Sequence, residues 1–171
     1  MAVVLRYGFQ RATMDDVAKE AGISRPALYL VFKNKTDIYR ALAESILGNA
    51  LDAARAALER GGPIEARLFH AIKAGILDPT DFMMATAHGA ELLDMKHAMA
   101  AEALSAWRTQ KAALLAKALE SSGAAKAKDM SGAELADILL DGIEGLKLRA
   151  KTSAEREAGA RALVKLVAGR T

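Results

Sequence analysis

Between Thr13 and Phe32 the chain reads TMDDVAKEAGISRPALYLVF, and this run constrains the fold more than any other. Thr13 is a good helix N-cap, and Asp16 three residues later completes a capping-box-like pattern. Val17, Ala18 and Ala21 supply an apolar face. Gly22 can take the left-handed conformation that stops a helix, with Ile23 expected to fill the corner. Ser24 caps a second helix. Pro26 in its first turn is tolerated, because that amide has no helical partner. The expected unit is helix, tight glycine turn, helix.

On a wheel of roughly 100° per residue, Leu28, Val31 and Phe32 fall on one side of the second helix, the expected buried side. Pro26, Tyr29, Leu30 and Lys33 fall opposite, with Arg25 at their edge. Arginine, proline, tyrosine, leucine and lysine together suit a DNA groove better than a solvated face. Arg25 can donate two hydrogen bonds to a guanine edge, and Leu30 can touch a thymine methyl. Tyr29 can reach a phosphate. Lys33 and Lys35, where the next helix starts, are placed for phosphate contacts. The plainer reading of the same pattern is a helical corner in an all-α protein.

The rest of the chain also reads as helix. Alanine, leucine, lysine, glutamate and arginine dominate, and strand-like alternation of β-branched residues is absent. The breaks predict helices over 2–8, 13–21, 24–32, 35–59, 64–76, 81–94, 95–121, 132–150 and 154–168, about nine in all. Pro63 and Pro79 each follow a break and read as helix starts. Residues 121–131 read as a small-residue and lysine linker. The expected fold class is therefore all-α. A helix-turn-helix head over 1–47 is joined by the long 35–59 helix, with no flexible linker, to a helical body over 48–171. Five of the eight aromatics lie in the first 39 residues, so an aromatic-cored head precedes an alanine-rich body.

Composition narrows the function classes. At 171 residues, with 52% hydrophobic and 26% charged side chains, the chain can bury a core without staples. It has no cysteine, which excludes disulfides, thiolate metal sites and a cysteine nucleophile. Net charge is +3, with seven basic against five acidic side chains up to Leu47 and 17 against 16 after it. Any nucleic-acid contact must therefore come from a local patch. The apolar stretch Ala2 to Leu5 is too short for a signal-peptide core, and Phe82 to Ala90 is far short of the roughly 20 residues of a membrane helix. The expectation is a cytoplasmic protein with no membrane partner. No serine-histidine-acid set, metal cluster or glycine-rich phosphate loop marks an enzyme, and no cofactor is expected.

Residues 5–42, LRYGFQRATMDDVAKEAGISRPALYLVFKNKTDIYRAL, resemble the DNA-binding domain of the tetracycline-repressor (TetR) family of bacterial transcription regulators. Gly8-Phe9, Thr13, Val17-Ala18, Ala21-Gly22-Ile23-Ser24, Leu28-Tyr29, Phe32 and Lys35 carry the likeness in order and spacing. The resemblance implies a homodimer on double-stranded DNA with a near-palindromic operator. It also implies a small-molecule pocket in the body, and release from DNA when that pocket fills. By position it implies a DNA-facing set of Thr13, Ser24, Arg25, Pro26, Ala27, Tyr29, Leu30, Lys33 and Lys35. The chain departs from the family in its first helix, which has only seven residues before Gly8. Asp15 and Asp16 favour the helix dipole but disfavour nearby phosphates. The alternative is a regulator-like dimeric interaction protein whose head is impaired by that short first helix.

In the body, Leu135, Ile138, Leu139, Ile143 and Leu146 form a stripe with Gly142 and Gly145 alongside, and the last helix offers Leu163, Leu166 and Val167. These read either as internal core or as a dimer face; proteins the chain resembles form a four-helix bundle there. Phe69, Phe82, Met83, Met84, His88, Leu92 and Trp107 are the candidates for lining an effector pocket, although a methionine stripe also suits plain core. Few polar groups lie among them, so the expected effector is apolar or aromatic. His88, Glu91, Asp94 and His97 recur every three residues, but each step drifts about 60° around the helix. The four cannot converge from one straight helix, and no metal site is expected.

Overall fold

The computed structural model describes Val3, Gly8, residues 11–86, His88 and residues 101–169. Among the described residues the regular structure is helical throughout: α1 Met14–Glu20, α2 Arg25–Val31, α3 Lys35–Glu59, α4 Ile64–Ile72, α5 Asp78–Met84, α6 Ala101–Ser121, α7 Ala124–Ala127, α8 Gly132–Arg149 and α9 Ser153–Ala168. Of the expected 2–8 helix only Val3 and Gly8 are described. Residue 87 and residues 89–100 of the expected 81–94 and 95–121 helices lie outside the described residues, and the first of these two helices ends at Met84, with Ala85 and Thr86 in a turn. Packing divides the chain into two compact units. One is Met1–Gly48 with Thr80–Ser105, the other Asn49–Pro79 with Ala106–Thr171.

The second unit holds one continuous apolar core. Ala54, Ala57 and Leu58 from α3 meet Leu68, Phe69 and Ile72 from α4, Leu115 and Leu119 from α6, and Leu139, Leu140 and Ile143 from α8. Ala160, Val164 and Val167 of α9 close it, and α9 packs on both α8 and α4. Small residues allow the helices to approach. A Cβ on Gly132 would stand 2.5 Å from the Ala116 carbonyl oxygen, so only glycine lets α8 begin so near α6. The Leu163 side chain occupies the space beside Gly142, and Leu146 that beside Gly159.

Helix ends are satisfied by side chains, as unpaired terminal amides and carbonyls require. Ser131 and Glu134 form a capping box at the start of α8, where the Glu120 carboxylate also accepts from the Gly132 amide. The Arg67 guanidinium donates to the Leu58 carbonyl at the end of α3 (Nε at 2.7 Å). Arg156, almost fully buried, donates to the Ala150 carbonyl at the end of α8.

Two expectations about breaks need correction. Pro79 does not start a helix after an interruption. Lys73–Leu77 instead forms a π-helical turn between α4 and α5, and the Asp78 amide donates to the Lys73 carbonyl five residues back. Proline lacks an amide and its ring crowds the preceding turn, and the wider π turn accommodates both without ending the helix. Gly75 in this turn lies against Ala50 and Ala54 of α3. Lys73 bridges Asp78 (2.8 Å) and Glu157 of α9, and these two carboxylates, Asp78 first, push its ammonium up to about 12. The expected 121–131 linker contains α7, whose Ala124 and Ala125 are buried in the core. Alanine reads as filler in sequence, yet it is the residue that lets one short turn lie flat against α8 and α9.

Candidate nucleic-acid interface

The first unit builds its site from α1, a glycine turn and α2. The Asp16 amide donates to the Thr13 hydroxyl oxygen (3.2 Å), and the Thr13 amide donates to the Asp16 carboxylate (3.0 Å). Together these form the expected capping box. The bonds from Thr13 hold the Asp16 carboxyl below its ordinary value. Gly22 adopts φ +67°. Its amide donates to Lys19, and the Ile23 amide donates to Ala18. This is the paired 5→2 and 6→1 closure of a glycine-terminated helix. Ser24 then caps α2 by accepting from the Ala27 amide (3.3 Å), with Pro26 in the first turn.

α2 buries Leu28 and leaves Arg25, Pro26, Tyr29, Leu30 and Lys33 exposed, with Leu30 at 88% of its full surface. Val31 does not belong to the buried side: it is 71% exposed. The helix ends at Val31 and Phe32 is already extended (φ −126°, ψ 124°), so a regular wheel loses its meaning there. Phe32 is half-buried and Ile23 stays 43% exposed rather than filling the corner.

Three of the expected contacts have structural partners. Arg25 Nη1 lies 3.2 Å from the Asp15 carboxylate, and its guanidinium stands 5.5 Å from the Tyr29 ring centre. The Tyr29 hydroxyl and Asp15 together favour its charged form. Lys35 is half-buried and its ammonium donates to the Ala12 carbonyl (3.4 Å), tying the start of α3 to the entry of α1. Thr13 serves the α1 cap, and Ala27 is half-buried. On α3, burial pushes the Tyr39 phenol up to about 12, so it stays a neutral hydroxyl.

The remaining candidates separate. Of the stripe and the last helix, Leu135, Leu139, Ile143, Leu146 and Val167 are buried in the core of their own unit. Gly142 and Leu163 are half-buried against each other. Ile138 (49%) and Leu166 (71%) are exposed, as is Leu148, which the stripe did not include. Among the effector candidates, Phe69 and Trp107 pack in the second unit. Phe69 lies under the Arg161 guanidinium (3.6 Å), and Trp107 under the Lys111 ammonium (3.4 Å). Phe82, Met83, Met84 and His88 belong to the first unit, with Phe82 and Met84 exposed. Leu92, and Glu91, Asp94 and His97 of the histidine-carboxylate series, lie outside the described residues. Sequence reasoning missed buried Lys111, whose signal is its position four residues after Trp107, and the Asp15–Arg25 pair, which spans two helices and leaves no periodic trace.

A capped helix, a left-handed glycine turn and a second helix with an exposed cationic and aromatic stripe define a helix-turn-helix protein. Residues 1–42 match the family described as bacterial regulatory proteins, tetR family. It is 33% identical over 72 residues to the HTH-type transcriptional activator FasR of Mycolicibacterium smegmatis. That match covers 42% of this chain and 33% of FasR, so the chain matches about a third of the curated relative's length. Solved structures share the fold across nearly the whole chain. The TetR family regulator PfmR of Thermus thermophilus superposes with TM-score 0.64 at 19% identity, over 99% of this chain and 94% of that one. The fatty acid degradation regulator FadR of Bacillus halodurans gives 0.65 at 15%, over 95% and 89%.

Proposed function

We propose that this protein is a ligand-responsive transcriptional regulator, a repressor that binds a palindromic operator as a homodimer and is released by a small apolar or aromatic effector. The observation that carries the reading is the α2 face: an 88% exposed leucine beside Arg25, Tyr29 and Lys33, on a head that matches the tetR family. Exposing leucine to water is unfavourable unless a partner surface covers it, and a thymine methyl in a major groove is such a surface. The same exposed stripe speaks against an interaction protein with an inactive head. Arg25 reads a base edge, Leu30 a methyl, and Tyr29 and Lys33 contact phosphates. Lys35 contributes a phosphate contact while holding α3 to α1. Two copies place their α2 helices in successive major-groove turns, roughly 34–36 Å apart. Ile138 and Leu166, the exposed members of the dimer set, meet the second copy in this reading. Effector binding shifts the population toward a body conformation that no longer fits the operator spacing.

Selection of bound duplexes from a random DNA pool at fixed moderate salt tests this. Salt must be fixed because phosphate contacts make affinity steeply salt-dependent. An enriched palindrome is the expected result, with Arg25→Ala relaxing preference at one position and Lys33→Ala weakening every duplex alike. A folded chain that enriches no sequence overturns the reading. Reporter transcription from the selected operator then separates repression from activation.

A further inference from the structure

We propose that Asp15 is a positioning residue for base discrimination: it holds the Arg25 guanidinium in place and keeps it from binding phosphate. The inference rests on the DNA-binding reading above and adds to it a residue from outside the recognition helix. The sequence alone marks Asp15 as a cost, a carboxylate in a face that must approach a polyanion.

The structure gives the two acidic residues of α1 different tasks. Asp16 is occupied by the Thr13 cap. Asp15 points its carboxylate across the motif to Arg25, with Nη1 within 3.3 Å of both carboxylate oxygens. The Tyr29 ring stands 5.5 Å from the same guanidinium, so Arg25 is bounded by a carboxylate from α1 and a ring from its own helix. The Asp15 and Arg25 side chains are about half exposed, 50% and 59%. An ion pair this open adds little to stability, since water screens it. Its effect is on orientation. A free arginine carries large rotamer freedom, and fixing it before DNA arrives removes that cost from binding. The pair uses Nη1, and a guanidinium has five donors, of which a guanine edge needs two.

Charge supplies the second effect. An unpaired Arg25 would bind any phosphate it met, on any sequence. With Asp15 beside it the local charge is close to neutral, and an approaching phosphate is repelled by the carboxylate. A guanine edge offers two neutral acceptors in a fixed geometry and is penalised far less. Asp15 therefore lowers sequence-independent affinity and raises the ratio of specific to non-specific binding, the quantity that matters among many competing sites.

The test uses the full chain with Asp15→Asn, Asp15→Glu, Arg25→Ala and the Asp15→Asn/Arg25→Ala double variant. Fluorescence anisotropy measures each on the selected operator, its single-base-pair variants and a random-sequence duplex. Asp15→Asn is expected to bind the random duplex a few-fold more tightly. It should also lose roughly tenfold of the discrimination at the base pair that Arg25→Ala relaxes, and at no other. The double variant should discriminate there no worse than Arg25→Ala alone, and Asp15→Glu should restore discrimination. Asp15→Asn leaving discrimination intact, or weakening all duplexes equally, overturns the proposal while the DNA-binding reading stands. An Arg25→Ala change that relaxes no position instead overturns the assigned role of Arg25. A DNA-free measurement covers the case in which no operator is selected. Nuclear magnetic resonance of the Arg25 Nε–H group should show an ordered side chain in the parent and a mobile one in Asp15→Asn. Equal mobility in both overturns the proposal.

Discussion

Leu30 on α2 leaves 88% of its surface open, while Leu139 on α8 leaves none, and the two regions they belong to differ in the same way. The body encloses one large set of aliphatic side chains, from Leu68 on α4 to Val164 on α9, and orders them by mutual packing, while Ile138, Leu148 and Leu166 stay outside it. The head buries Ala18, Leu28 and Tyr39 and adds polar closure at each turn of its motif. A capping box fixes the start of α1, a glycine in the left-handed region ends it, a serine cap starts α2, and a lysine ties α3 back to Ala12. A surface whose buried side is already filled by Ala18 and Leu28, and whose helix ends are closed by caps and a turn, can leave arginine, tyrosine and leucine exposed. The lesson is that apolar content alone does not say whether a helix is core or contact.

Substitutions can break that contrast. The largest effect belongs to Leu139→Ala, which should cost about 2–5 kcal/mol in denaturant melts, the loss expected when a fully buried leucine leaves a cavity. A cost under 1 kcal/mol would mean that the body is not packed as described. Next comes Gly132→Ala, which drives a Cβ to 2.5 Å from the Ala116 carbonyl and should cost about 1–3 kcal/mol, readable as a lower melting temperature. Thr13→Ala removes the α1 cap and should cost about 1 kcal/mol, with helix loss confined to the head in hydrogen exchange.

The caps also set an acid response shared by both regions. Thr13 holds the Asp16 carboxyl, and Ser131 the Glu134 carboxyl, below their ordinary values of 3.8 and 4.5. Groups depressed on folding contribute stability that is present above those ordinary values and lost as pH falls through the lower folded ones. Melting temperature should therefore fall on acidification below about pH 4.5, and Ser131→Ala should flatten the part due to Glu134. The smallest change in stability is expected from Leu30→Ala, within about 0.5 kcal/mol of the parent, together with a clear loss of operator affinity. A stability loss as large as that of Leu139→Ala would dissolve the distinction between the two leucines.

Much of the head was legible in its sequence because its signals are local. Thr13, Asp16, Gly22, Ser24 and Pro26 each act on neighbours within a few residues, and each stands where its chemistry places it. The wheel for α2 worked until the helix ended, which is why Leu30 was placed correctly and Val31 was not. Features that depend on distant partners were not legible. A stripe such as Leu135, Leu139 and Ile143 records that a helix has an apolar face, and nothing in it says whether the cover comes from α4 and α9 or from another molecule. Pro79 reads as a break because a proline signal cannot distinguish an ended helix from a widened one. The Asp15–Arg25 pair joins two helices across a turn, so neither residue's own periodicity reveals it.

The turn at Gly22 has one more consequence. An L side chain's Cβ built there meets nothing within 4 Å, so what the position refuses in an ordinary amino acid is its backbone handedness and not its bulk. The mirror-image residue has no such conflict at φ +67°. A semisynthetic chain carrying D-alanine at residue 22 should keep the motif intact and gain roughly 0.4–1 kcal/mol by restricting the unfolded backbone. L-alanine there, although its Cβ would enter open space, should lose stability instead.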